Sequence, residues 1–186
     1  MFESLQSNFL VAMPSLNNSF FERAVIYICQ HDESGAMGII INRQISNEID
    51  DLLTQLDIIS SKSQDKVDLY LGGPVHQEHG FILHQPTEQE WDTSITMSNN
   101  VIITTSKDII EAIIQGTGPE NPIIALGYAG WGQGQLESEI FDNAWIKVNY
   151  TPEIMFDCPP SQKWNATMKS IGITNPAKLS GFTGHA

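Results

Sequence analysis

Short apolar runs broken by turn residues recur along the first half of the chain. The run at residues 9–13 stops at Pro14, and those at 24–29 and 37–41 are apolar on both alternating faces. Such continuous runs predict strands that are covered on both sides of a sheet. Residues 31–35 carry turn-forming side chains, which predicts a hairpin or a closely adjacent pair. Further strands are predicted at residues 67–71, 80–84, 101–104, 122–126 and 144–148.

Helical spacing of apolar residues marks the remaining segments. Residues 47–56 carry apolar side chains at i, i+3, i+4 and i+7, which predicts a helix. A second isoleucine-rich stripe follows Thr105 and Asp108, which resemble a capping box, and ends at Gly116. Two more helices are predicted, a short one at residues 135–141 and a final one at 160–171.

The order of these elements determines the predicted fold class. The early strands are too closely linked for helical crossovers, so a purely parallel, doubly wound sheet is disfavoured. Strands come first and helices later, which predicts an α+β fold with a mixed sheet. The length of 186 residues is typical of one domain, predicted to span residues 1–186.

Composition places the chain among ordinary globular proteins. No apolar run approaches the roughly 18 to 20 residues of a membrane span. The first residues lack the basic stretch of a signal peptide, and two cysteines are too few for a disulfide scaffold. We therefore expect a cytoplasmic protein without membrane association.

The net charge of the chain limits the classes of binding partner that we expect. Nine lysines and arginines stand against 22 aspartates and glutamates, which gives a formal net charge of −13. A protein that makes about 6 to 10 phosphate contacts would need almost every one of those cations. The cations are scattered along the sequence, so we expect no direct binding of nucleic acid.

The glycine-rich segment at residues 127–135 is the first candidate for chemistry. It lies between a predicted strand and a predicted helix, where backbone N–H groups can hold an anion. Its glycines miss the dinucleotide-binding spacing by one residue, and Gln133 stands where a phosphate-binding loop has lysine. A tight structural turn is favoured, with a small-ligand site or a docking surface carrying Tyr128 and Trp131 as alternatives.

Histidines at positions 76, 79 and 84 raise the question of a metal. His76 and His79 would share a side only in a helix, whereas the flanking glycines and proline predict a turn. Alternation places His84 on the strand face opposite Phe81. Exposed turn histidines are therefore favoured over a transition-metal site, and no metal site is predicted.

The two cysteines are the remaining reactive side chains. Cys29 lies within an apolar strand, where a buried and unreactive thiol is favoured. His31 is predicted to share its face and could stabilise a thiolate.

No serine, histidine and aspartate arrangement typical of a hydrolase is evident in the sequence. The position of Ser106 at a helix start is explained by capping.

Ten short motifs follow one another in order and together cover nearly the whole chain: FLVAMP at 9–14, FxR at 21–23, YIC at 27–29, GAMG at 35–38, NR at 42–43, GGPV at 72–75, GFxLH at 80–84, TTSKD at 104–108, LGYAGWGxGQLE at 126–137 and NAW at 143–145. In this order the motifs resemble those of the bacterial AlgH/YqgE family. Two positions depart from the family pattern: Asn18-Ser19 replaces the usual Asp-Pro, and His79 replaces the usual arginine.

The resemblance implies a single α+β domain whose mixed, mostly antiparallel and strongly curved sheet is flanked by helices. It also implies a family named for a proposed role in transcriptional regulation, with no agreed catalytic residues, so none is predicted. We expect a non-enzymatic regulatory or interaction protein that acts through an unknown protein or small ligand and needs no cofactor. The alternative is a nucleotide- or anion-binding enzyme with its site at residues 127–135. The predicted ligand or partner surface comprises Asn42, Arg43, Gly73, His84, Thr105, Ser106, Tyr128, Trp131 and Gln135.

Overall fold

A computed structural model describes residues 3–45 and 68–176 of the chain. The helix predicted at residues 47–56 lies outside these ranges. The strands are β1 (Phe9–Ala12), β2 (Val25–Asp32), β3 (Gly35–Ile40), β4 (Gln44–Ile45), β5 (Leu69–Leu71), β6 (Val75–His84), β7 (Ser94–Thr96), β8 (Ile102–Thr104), β9 (Ile123–Gly132) and β10 (Trp145–Val148). The helices are α1 (Lys107–Ile114), α2 (Gln135–Phe141) and α3 (Pro160–Ser170), with a 3-10 turn at Pro14–Leu16 and a π-helical turn at Glu153–Asp157.

The described strands form one curled sheet. Its order is β10-β1-β2-β3-β9-β6-β8-β7, with β5 paired to β9 and β4 paired to β5. The β5–β9 pair is parallel, and the other described pairs are antiparallel. The sheet curls into a half-barrel, and helices pack on it. The predicted α+β class and the mixed, mostly antiparallel, curved sheet are therefore confirmed.

Strand β9 holds the sheet together because it pairs with β3, β5 and β6. It runs to Gly132, so the prediction of a glycine-rich turn from residue 127 is wrong for most of that segment. Ala129–Gly132 pair with Gly35–Gly38 of β3, and a Cβ on Gly35 would lie 2.2 Å from the Trp131 carbonyl oxygen. These glycines allow two backbones to approach closely, which is a strand function rather than a loop function.

The two faces of the sheet bury different cores, and each helix seals one apolar cluster. Helix α3 covers the cluster that contains Phe9, Tyr27 and Leu83. Helix α2 packs on the opposite face, where Leu136 joins the cluster of Trp131 and Trp145. Helix α1 lies over a third cluster with its isoleucines against β6 and β9. Each fully buried aliphatic or aromatic side chain contributes about 1.5–3 kcal/mol, so burial in these clusters stabilises the fold substantially.

A bulge in β2 changes which side chains share a face. Ile28 pairs with Gly38 and Gln30 with Met37, so Cys29 is an extra, unpaired residue. The alternation reverses after the bulge: Cys29 packs with the Tyr27 cluster, whereas His31 pairs with Ala36 of the opposite face. The prediction that His31 shares the strand face of Cys29 is therefore wrong, because the bulge places the two side chains on opposite faces of the sheet.

Candidate functional site

An apolar cavity of about 310 Å³ opens on the Cys29 face of the sheet. It lies between β2, β3 and the β6–β8 strands, and most of its lining is aliphatic, thioether or aromatic. Thr105, one of the predicted surface residues, contributes to its wall. The lining residues are Gln6, Cys29, Gln30, Met37, Ile39, Phe81, Thr93, Ile95, Met97, Ile103 and Thr105.

The Cys29 thiol lines this cavity in its neutral form. Its Sγ lies 3.6 Å from the Tyr27 carbonyl oxygen and faces apolar neighbours. Burial raises the pKa of Cys29 to about 12, because a thiolate would lose its hydration there. At neutral pH the group is a small apolar contact rather than a nucleophile.

The first half of β6 carries a wide bulge. Val75 pairs with Tyr128 and Gly80 with Leu126, so five steps along β6 match only two along β9. The three extra residues loop out of the ladder, and His76 adopts a left-handed φ of 49°. The segment that was predicted as a turn is therefore a bulged strand, and the exposed side chains of residues 76–79 project from it.

The bulge gathers two imidazoles and a carboxylate. One ligand atom from each of His76, Glu78 and His79 lies within 4.8 Å of the other two. His76 Nδ1 is 2.9 Å from Glu78 Oε1, and the two histidine ring centroids are 5.3 Å apart. Hydrogen bonds from its own backbone N–H and from His76 lower the pKa of Glu78, which keeps the carboxylate ionised. The sequence predicted that His76 and His79 would lie on the same side only in a helix. In the structure a strand bulge brings them together instead.

Tyr128 connects the bulge to the cavity. Its ring centroid is 6.0 Å from that of His76 and 6.1 Å from that of Phe81, which lines the cavity. Gly73 passes directly against the Tyr128 backbone, where a Cβ would lie 2.0 Å from the Tyr128 carbonyl carbon. Gly73 is buried, so the prediction that it lies on a surface is wrong.

Trp131 and Gln135 belong to a different hydrogen-bond network, which is centred on Glu139 and in which Gln135 is exposed. Glu139 accepts hydrogen bonds from Trp131 Nε1 at 2.9 Å and Trp145 Nε1 at 2.7 Å through one oxygen, and from Gln135 Nε2 at 2.9 Å through the other. Trp131 is only 7% exposed, which contradicts its prediction as a surface residue. Its indole packs against Trp145 and closes the α2 face of the sheet.

The same region offers little to an anion. Gln135 Oε1 accepts the Gly132 N–H at 3.0 Å, so this donor is occupied within the turn. Glu137 lies in the first turn of α2 and accepts a hydrogen bond from His31 Nε2 at 2.9 Å, since His31 Nδ1 accepts from the Leu5 N–H. A carboxylate at this position repels a phosphate and therefore offsets the attraction of the positive end of the helix dipole.

His84 is completely buried, which contradicts its prediction as an exposed residue. Its Nδ1 donates to the Gln85 carbonyl oxygen at 2.8 Å, and its Nε2 accepts from Thr104 Oγ1 at 2.9 Å. Burial lowers the pKa of His84, so the ring stays neutral and serves as a structural hydrogen-bonding group.

Ser106 is positioned by the start of α1. Its hydroxyl donates to Asp108 Oδ1 at 2.5 Å and accepts from the Thr93 N–H at 3.1 Å. The residue is the N-cap of α1, one position after the predicted capping residue Thr105. These bonds fix the strand-to-helix connection beside the cavity.

Asn42 and Arg43 hold the segment that precedes β2. Asn42 accepts from the Val25 N–H and donates to the Arg23 carbonyl oxygen, both at 2.8 Å. The Arg43 guanidinium bonds the Phe20 and Glu22 carbonyl oxygens and lies 5.0 Å from the Phe20 ring centre. The predicted surface residues thus divide among several separate networks, with Thr105 and Tyr128 nearest to the cavity and the bulge.

A second cavity, of about 590 Å³, contains a residue that the sequence analysis missed. Lys163 is buried there, and its ammonium donates to the carbonyl oxygens of Ile154, at 3.0 Å, and Met155. Burial lowers the pKa of Lys163 to about 8. Its two acceptors belong to the π-helical turn, so the lysine satisfies carbonyl groups of that turn. The burial of Lys163 could not be predicted from the sequence, because the sequence around it is polar.

Several described cations are engaged within the chain. Lys147 binds Glu3 at 2.8 Å, and the Arg23 guanidinium lies 5.5 Å from the Trp164 ring centre. Arg43 and Lys163 are held by backbone carbonyl groups, as described above. Within residues 3–45 and 68–176, no helix is long and apolar enough to cross a membrane.

These features define an α+β protein with a half-barrel sheet, an apolar cavity and a bulge rich in metal-ligating side chains. The AlgH-like family model, DUF179, matches residues 9–176, and the chain belongs to this family. It is 44% identical to a UPF0301 protein of Shewanella frigidimarina, covering 99% of this chain and 100% of the relative. It is 42% identical to a UPF0301 protein of Pseudoalteromonas translucida, with 99% and 100% coverage.

One solved structure supports the same family assignment, and a second shares the fold. The solution structure of the AlgH protein from Pseudomonas aeruginosa has a TM-score of 0.79 and 38% identity, covering 100% of both chains. A crystal structure from Corynebacterium diphtheriae, at 22% identity and a TM-score of 0.71, covers 93% of this chain and 91% of that one. The latter shares the fold alone.

Proposed function

We propose that this protein is a non-enzymatic regulatory protein of the cytoplasm that binds a small apolar ligand in the cavity beside Cys29. In this proposal a partner protein recognises the ligand-bound form, and the chain itself does not contact nucleic acid. The observation that carries the proposal is the cavity itself, which is open to solvent and lined mainly by apolar side chains.

The size of the cavity suits a small organic molecule. Its volume of about 310 Å³ lies at the lower end of the roughly 300–1,000 Å³ found for ligand sites. An apolar protein cavity of about 150 Å³ is already sufficient to bind benzene. Gln6, Gln30, Thr93 and Thr105 supply the few polar groups that would orient a ligand.

The chemistry of the walls favours binding over catalysis. The thiol that faces the cavity is protonated at neutral pH, since burial raises the pKa of Cys29 to about 12. Cys29 and Cys158 are both free thiols, which agrees with a reducing compartment. The chain's net charge of −13 supports action through a protein, because electrostatic repulsion opposes contact with a polyanion.

Benzene titration monitored by methyl NMR tests the ligand site. We expect saturable shifts of the Met37, Met97 and Ile103 methyl resonances, because these side chains line the cavity. Replacing Ile95, which is 66% exposed at the cavity wall, by aspartate should weaken benzene binding at least ten-fold. A charge at the wall makes transfer of an apolar ligand unfavourable.

Phe141→Asp is the matched control. Phe141 is an 85% exposed apolar residue on α2, and the same charge there should leave benzene affinity unchanged. Unshifted cavity methyl resonances at saturating benzene, or equal weakening by both substitutions, would refute the ligand site. A gel shift of duplex DNA by the purified chain at about 150 mM salt would refute the indirect mode of action.

A further inference from the structure

We propose that the β6 bulge is a binding site for a divalent transition-metal ion, with His76, Glu78 and His79 as its protein ligands. This site is separate from the ligand cavity and does not depend on it. Zn²⁺ is the ion that the donor set suits best, and water would complete its coordination.

Distances between the donor atoms support a common ion. Two ligands bound to one Zn²⁺ at about 2.0–2.1 Å lie roughly 2.9–3.4 Å apart when they are adjacent in its coordination shell. His76 Nδ1 and Glu78 Oε1 are already 2.9 Å apart, and His79 offers a nitrogen within 4.8 Å of both. The three side chains are exposed, so small rotations can bring the third donor into range without disturbing the core.

The donor chemistry indicates the class of ion. Two imidazoles and one carboxylate are a ligand set for zinc and for other borderline transition metals, whereas Ca²⁺ and Mg²⁺ prefer oxygen ligands. An ion bound there would replace the hydrogen bond between His76 and Glu78 with two coordinate bonds.

The backbone explains why these residues converge although two positions separate the histidines. The bulge inserts three residues opposite Leu126–Tyr128, and His76 adopts a left-handed φ of 49° at its start. The Tyr128 ring lies 6.0 Å from the His76 ring and limits its movement on one side. The cluster is therefore held by a paired strand on both flanks rather than by a free loop.

Calorimetric titration of the untagged full chain with Zn²⁺ tests the site. We expect one ion per chain, and Co²⁺ in its place should give the visible absorption bands of a nitrogen- and oxygen-ligated centre. His76→Asn, Glu78→Gln and His79→Ala should each weaken Zn²⁺ binding at least ten-fold. Asparagine is chosen at position 76 because it tolerates a left-handed φ better than alanine does.

Glu88→Gln is the matched control for general attraction to an acidic protein, because Glu88 is exposed and lies outside the bulge. Its Zn²⁺ affinity should equal that of the unmodified chain, and circular dichroism should show that every variant is folded. Absence of Zn²⁺ binding would overturn the proposal. Retention of full affinity in folded His79→Ala and Glu78→Gln variants would also overturn it, because the ion would then be bound elsewhere.

Discussion

The two halves of strand β6 contrast sharply. Residues 80–84 pair regularly with β8 and β9, and Leu83 and His84 are completely buried. Residues 76–79 bulge away from β9 and expose two histidines and a glutamate. Most side chains of the regular half pack in the core, whereas the donor atoms of the bulged half are available to a ligand. Stability and binding capacity therefore occupy adjacent segments of one strand.

Leu83→Ala should have the largest effect on this contrast. The side chain is completely buried in the core cluster that α3 covers, so its removal leaves a cavity and should cost about 2–5 kcal/mol of unfolding free energy. His79→Ala, in the exposed half, should change it by less than about 0.5 kcal/mol without metal. Urea denaturation measures both, and equal losses would show that the bulge also belongs to the core.

A pair of glycines tests the backbone at the junction of the two halves. Gly127 of β9 has a φ of 73°, and a Cβ there would lie 2.7 Å from the Gly73 carbonyl oxygen. Gly127→Ala should therefore cost about 2 kcal/mol. Gly80→Ala in β6 meets no atom within 4 Å and should cost far less. Urea unfolding of the two variants compares them, and similar losses would contradict the assigned strain.

The pH dependence of stability offers the smallest and most specific test. Unfolded His84 takes up a proton near pH 6.5, whereas burial lowers the pKa of His84 in the folded state. Below about pH 6.5 the unfolded state therefore binds more protons than the folded state does. Stability should decline from about pH 6.5 down through the lowered pKa, by at most about 1.4 kcal/mol per pH unit from this group. His84→Gln should reduce that slope in urea unfolding at pH 5.5 and 7.5. An unchanged slope would mean that His84 does not titrate in this way.

The sequence patterns were most successful where local and tertiary signals agree. The isoleucine stripe predicted α1, and the runs at residues 24–29 and 37–41 overlap most of the buried positions of β2 and β3. Similarity of the ordered motifs placed the chain in the family that the comparisons confirm. The predicted surface was less successful, because a polar or aromatic residue near glycines can equally well be buried with a partner. His84 with Thr104 and Trp131 with Glu139 are two such cases.

Composition and apolar periodicity were sufficient, by themselves, to determine an acidic α+β chain and the approximate positions of most of its described strands and helices. These properties depend on neighbouring residues, so they can be read along the chain. Strand pairing decided the rest, because a bulge becomes visible only when the partner strand is known. The separation of Cys29 from His31, the convergence of His76 with His79 and the cavity behind Phe81 all arise from contacts between distant segments.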